Sequence, residues 1–138
     1  MPDVVTCLLV DDEDKLLILK RSDKVGTYKG LWSGISGYVE EGEEPIDTAF
    51  KEIREETGFT KDDVEFIKKM SPVSFTDFHN DKNYNWNIFP FLFKLTFEKK
   101  DKVNIDWEHS EYCWIAPSDV VKFETVPRLE FIVSEMLL

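Results

Sequence analysis

Pro45 and Gly58 bracket a run whose pattern permits one local structure. Proline fits the first turn of a helix, where its missing N–H has no partner to lose, and glycine fits the left-handed cap just past the end. Between them Ile46, Ala49, Phe50 and Ile53 recur at the i, i+3, i+4, i+7 spacing of a helix that lays one stripe on a core. The pattern predicts a helix from about Pro45 to Thr57. At about 100° per residue, Glu52, Glu55 and Glu56 fall together on a neighbouring arc. Carboxylates about 4 Å apart repel by roughly 4 kcal/mol per pair at an effective dielectric of 20, so such a cluster wants a cation. Oxygen ligands without histidine or thiolate at the spacing favour Mg2+ or Mn2+ over zinc. The bland alternative is a solvated acidic face, as most glutamate-rich helices have.

The rest of the chain predicts strands around this helix. Val4 to Val10 and Leu16 to Arg21 are apolar, strand-length runs separated by an acidic turn, and they pair antiparallel. Leu31 to Glu40 reads as a short glycine-punctuated strand, and Val64 to Phe75 as a further apolar stretch. Thr76 to Tyr84 reads as a polar loop, and Asn85 to Phe97 as a long strand that Pro90 assigns to an edge or a bulge. Glu111 to Ala116 is a last strand, Pro117 to Phe123 a short helix, and Pro127 to Leu138 a terminal amphipathic helix. The irregular alternation predicts an α/β fold of the α+β type with a mixed central sheet. The 138 residues have room for one domain, 1–138.

The whole acidic segment matters more than the helix alone. Gly37, Glu43, Lys51, Glu52, Ile53, Glu55, Glu56, Gly58 and Phe59 resemble the signature of the Nudix hydrolases: Gly, five residues, Glu, seven residues, Arg-Glu, a bulky aliphatic, one residue, Glu-Glu, one residue, Gly and a bulky apolar residue. Eight of the nine positions match, with Lys51 in place of the arginine. The entry, Ile35-Ser36-Gly37, also departs from the usual Pro-Gly-Gly, which weakens assignment to the nucleotide-sanitising subgroup.

The resemblance implies an α/β/α sandwich and a metal-dependent hydrolase. Water would attack phosphorus in a nucleoside diphosphate derivative or a nucleoside triphosphate. It implies metal ligands at Glu52, Glu55 and Glu56, with a further carboxylate from Glu108 or, second, Glu111. Any of these five is a candidate general base. Gly37 and Gly42 are expected to turn the loop, Gly58 to cap the helix, and Glu43 to brace against Lys51. Lysine offers one flexible point charge where arginine offers a planar fork, so a looser brace is expected. Arg21 is the candidate phosphate contact. Trp32, and with it Phe78, Tyr84 and Trp86, could supply a face for a base. His79 and His109 stand too isolated in the sequence to be proposed as ligands.

Composition trims the alternatives. A net charge of −11 opposes unassisted binding to nucleic acid or anionic lipid, and leaves a nucleotide-derived small molecule as the expected partner. No basic leader or long apolar run appears, so the cytoplasm is expected. Monomer and homodimer both remain open, the dimer through the long strand at Asn85 to Phe97. A catalytically weak nucleotide-binding or regulatory module of the same fold is the second reading. An isoprenoid diphosphate isomerase would need a cysteine in a loop at the site, whereas Cys7 and Cys113 fall within predicted strands and read as small core residues.

Overall fold

The computed structural model describes residues 2–96 and 100–138. The elements run β1 (Asp3–Val10), β2 (Leu16–Arg21), β3 (Trp32–Ser33), β4 (Ile35–Tyr38), α1 (Pro45–Thr57), β5 (Val64–Lys69), β6 (Val73–His79), β7 (Lys82–Leu95), β8 (His109–Ile115) and α2 (Leu129–Leu137). Single 3-10 stretches lie at Lys100–Lys102 and Pro117–Lys122.

The two-sided apolar runs become the middle of the molecule, because a strand hydrophobic on both faces can be satisfied only between two layers. β1 sends Val5, Cys7 and Leu9 into a core beneath α1, and Leu8 and Val10 into a second core beneath α2. β2 alternates in the same way, with Leu17 and Leu19 toward α1 and Leu16 and Ile18 toward α2. The result is an α/β/α sandwich on a mixed sheet: β1 lies parallel to β7 and antiparallel to β2 and β4. Cys7 is buried beneath α1 and Cys113 lies within β8, both as free thiols.

Several expectations need correction. The predicted strand at Leu31 to Glu40 is two strands broken at Gly34, where a Cβ would stand 3.1 Å from the Cys7 carbonyl oxygen. The predicted loop at Thr76 to Tyr84 is instead a β-hairpin, with only Asn80 and Asp81 turning. Both turn residues have φ above 50°, the left-handed pair that a tight two-residue hairpin favours. It looked like a loop because the hairpin is largely solvated and carries no apolar run.

β7 is not an edge. β1 covers one side, while β6 and then β5 cover the other. Pro90 receives the Met70 N–H on its carbonyl at the junction between β6 and β5. Its nitrogen faces the same break, so the missing donor leaves no ladder bond unmade. An interior strand cannot offer its backbone to a second copy, which removes that route to a dimer. The predicted end of this strand, Phe97, lies outside the described residues.

Candidate active site

The site begins where α1 crosses β4. Gly37 lies in β4 opposite Val5, with an ordinary strand conformation, so it does not serve as the expected turn. A Cβ there would overlap the carboxyl group of Glu52. Glycine is needed for close approach: it lets the sheet accept a glutamate side chain from the helix. Gly42 and Gly58 are the two that turn, with φ of 86° and 83°, and the Gly58 N–H caps the helix on the Arg54 carbonyl at 2.9 Å.

The three carboxylates predicted on one arc divide into two layers. Glu52 and Glu56 are buried, one helical turn apart, whereas Glu55 is exposed. Glu52 opposes the ionisation of Glu56, because two like charges held this close out of water repel. Burial, and then the charge of Glu55, push Glu52 up to about 7. Burial first, and then the Glu52 carboxyl group, push Glu56 well above the usual carboxylate range. The Ser36 N–H reaches Oε1 of Glu56 at 3.4 Å, and among the described residues no hydrogen-bond partner reaches its buried Oε2.

Sequence reasoning missed the residue behind this pair. His109 Nε2 lies 3.5 Å from Oε1 of Glu56, and its Nδ1 lies 2.9 Å from Asp106 Oδ1. Burial lowers the His109 pKa against the opposing pull of Asp106, which favours the neutral ring. With Nδ1–H donating to Asp106 Oδ1, the Nε2 lone pair faces Glu56. The available signal was its place, directly after Glu108 and three residues past Asp106.

A cleft of about 460 Å³ opens over this layer. Glu52, Glu55, Glu108 and Arg21 line its polar end, while Phe75, Trp86, Ile88 and Ile132 line its apolar end. Burial, and then Asp106, raise the Glu108 pKa. Arg21 sits where the β2–β8 ladder shifts register between Lys20 and Arg21. Its Nε donates to the Thr27 carbonyl at 2.9 Å, which holds the guanidinium at the cleft wall.

Glu111 and Trp32, both singled out from the sequence, do not line the cleft. Glu111 faces Lys20 across the ladder at 3.6 Å and is mostly exposed. Trp32 packs edge-on against Phe123 at 5.4 Å, because the short β3 turns its indole toward the core beneath α2. Of the other aromatics considered, Trp86 lines the cleft, Tyr84 stacks behind it at 5.8 Å, and Phe78 is exposed on the hairpin.

The loop before α1 is braced from the helix. Lys51 Nζ reaches both carboxyl oxygens of Glu43, at 3.2 and 3.0 Å. Glu43 also accepts the Glu40 N–H at 3.0 Å and the Thr48 hydroxyl at 3.0 Å. The ammonium thus reaches both oxygens of the carboxylate. Lys51→Arg is expected to keep turnover within about twofold of wild type, because the fork fits the same carboxylate. Lys51→Ala is expected to lower it about fivefold through looser placement of the loop. Equal turnover of all three proteins would show that the brace does not position the site.

The donor set fits a hard divalent cation. Glu52 and Glu56 are two buried carboxyl groups one helical turn apart, and among the described residues Oε2 of Glu56 has no hydrogen-bond partner. Glu55 and Glu108 add oxygen donors at the same end of the cleft. A second acidic group, Asp11, Asp12 and Glu13, lies at the β1–β2 turn. There Asp11 Oδ1 accepts the N–H groups of Glu13 and Lys15 at 2.9 and 2.8 Å, the bonding of a turn.

Comparison with known proteins agrees with this geometry. A family model described as "NUDIX domain" matches residues 1–134. The chain is 27% identical over 125 residues to a nucleoside triphosphatase, NudI, of Escherichia fergusonii, covering 87% of this chain and 86% of the relative. Among solved structures it resembles the E. coli dihydroneopterin triphosphate pyrophosphohydrolase, with a TM-score of 0.80 and 18% identity over 98% of this chain and 94% of that one. It also resembles a C. elegans Ap4A hydrolase in a binary complex, with a TM-score of 0.77 and 18% identity over the same shares.

Proposed function

This chain belongs to the NUDIX family and is a Nudix-type pyrophosphohydrolase acting on nucleotide derivatives, and from that premise we propose a divalent-metal-dependent hydrolase of a nucleoside triphosphate or a nucleoside diphosphate derivative. The observation that supports the metal dependence is the pair of buried carboxyl groups, Glu52 in the cleft lining and Glu56 behind it with an oxygen that has no hydrogen-bond partner among the described residues, in a cleft also lined by apolar side chains. The triphosphate leads because the NudI relative is a nucleoside triphosphatase.

Glu52, Glu55, Glu56 and Glu108 would hold Mg2+ or Mn2+. When bound, the ion supplies the positive charge that phosphate oxygens need and lowers the pKa of an attacking water. The chain's own groups do the rest. Arg21 places its guanidinium against a phosphate from the cleft wall, and Glu108 stands as the candidate proton acceptor from water. The Ser36 N–H orients the Glu56 carboxyl group from behind, as a partner that orients a ligand does, and the neutral His109 ring packs against it at 3.5 Å. The apolar end receives the base and excludes water from the reacting phosphorus.

The net charge of −11 supports a small, metal-escorted substrate and not a nucleic acid. No helix among the described residues is long and apolar enough to cross a membrane. Our reading places residues 1–138, as one domain, in the cytoplasm as a monomer or homodimer.

The test is product release from a panel of nucleoside triphosphates and nucleoside diphosphate derivatives with Mg2+, Mn2+ or chelator. Cleavage is expected with either metal and is expected to fall below about one per cent with chelator. Equal cleavage in chelator would overturn the metal reading, and binding without cleavage of any compound would leave a binding module.

A further inference from the structure

Two large aromatic side chains at the cleft mouth remain in water. Trp107 is 63% exposed and Tyr38 is 53% exposed, and both line the cleft. A single exposed aromatic needs no explanation, but this indole stands on a fastened backbone. The Ser22 hydroxyl donates to the Trp107 carbonyl at 2.9 Å, and the Ser22 N–H donates to the Glu108 carbonyl at 2.8 Å. Ser22 is itself buried and follows Arg21, so one residue ties together the segments that carry Arg21, Trp107 and Glu108.

The cleft offers few free polar groups to a base at its apolar end. The Tyr28 hydroxyl already donates to Asp77 at 2.9 Å and accepts from the Trp86 indole at 3.1 Å. What remains are ring faces and aliphatic surface, which reward a planar ring by stacking and desolvation. Tyr38 stands 6.1 Å from Trp86, so it extends the inner aromatic surface to the mouth.

We infer that Trp107 is a specificity-determining residue whose indole stacks on the planar base of the substrate, held in place by Ser22. This rests on the nucleotide reading above. It makes the base, and not the phosphate chain alone, a source of affinity. Substrates without an aromatic ring would forgo this contact. Base identity is sensed weakly, because every base has a π-face.

The test measures affinity for α,β-methylene analogues of adenosine, guanosine, cytidine and uridine triphosphates with Mg2+, by calorimetry and by quenching of intrinsic fluorescence, in wild type, Trp107→Ala and Trp107→Phe. Trp107→Ala is expected to weaken binding about tenfold, within the range of one base–aromatic stack. Trp107→Phe, which keeps a ring, is expected to stay within about threefold of wild type while the quench shrinks. For cleavable nucleotides, Trp107→Ala should raise KM by the same factor and leave kcat within about twofold. Unchanged affinity in Trp107→Ala, or a loss of kcat with unchanged KM, would overturn the stacking role. Wild type that binds no analogue would overturn it together with the nucleotide reading. Binding with the expected Trp107 effects but without cleavage of any nucleotide would uphold the stacking and sink only the hydrolase reading.

Discussion

Glu56→Gln is expected to lower turnover by at least about a hundredfold while the protein stays folded. The amide matches the carboxyl group in shape and can still accept the Ser36 N–H, but it cannot carry the negative charge a cation needs. Circular dichroism of the variant, beside its metal-dependent turnover, checks the result. Near-normal turnover would remove Glu56 from the site.

The same substitution has a stability signature of opposite sign. Glu52 and Glu56 hold their protons more tightly in the folded chain than in the unfolded one. Stability from a raised carboxyl pKa is fully present below the unfolded value, near 4.5, and is lost as pH rises through the folded value. For Glu52 that window runs from about 4.5 to about 7. In chelator, wild type should therefore lose Tm between pH 5 and pH 8, and Mg2+ should restore it by binding the charged pair. Glu56→Gln should flatten the slope and leave the metal-free protein about 3 °C or more above wild type at pH 8. Parallel Tm profiles for the two proteins would show that this pair does not set the pH dependence. A variant more stable and far less active is what a charge cluster kept for function predicts.

Gly37→Ala is expected to cost activity on the same scale, about a hundredfold, through one methyl group. The added Cβ would occupy the space of the Glu52 carboxyl group. The strand conformation of Gly37 accepts alanine, so the strain falls on the Glu52 side chain and on the helix packed there, where overpacking costs about 1–3 kcal/mol. Adding Glu52→Ala removes the overlapped atoms. The double variant should recover most of the lost Tm and none of the lost turnover, a non-additivity that a cycle of the four proteins measures. Full activity of Gly37→Ala would mean that Glu52 can leave its place without harm to the site.

Much of the site was legible because its residues lie on one continuous segment. The spacing from Gly37 to Phe59 fixed the helix, its caps and the three glutamates, since local geometry alone puts those side chains on one arc. Glu108 was proposed by resemblance, and it lines the cleft. His109 was passed over because its neighbour in space, Glu56, lies over fifty positions away, beyond any periodicity. The hairpin of β6 and β7 was read as a loop because its polar strands gain their order from each other and not from a core. Trp32 was read as an open face for a base and instead packs on Phe123, because only packing decides which ring is covered.

The sequence by itself determined the helix, the two-sided strands of the central sheet and the carboxylate set, all properties of residues near one another along the chain. The tertiary structure alone decided which of those carboxylates are buried. It set Gly37 against Glu52 and brought Glu56 within 3.5 Å of His109. It also left Trp107 in solvent at the mouth of the cleft. Burial and long-range contact set the electrostatics, and both depend on how distant segments close upon each other, a matter of three-dimensional packing that no local pattern encodes.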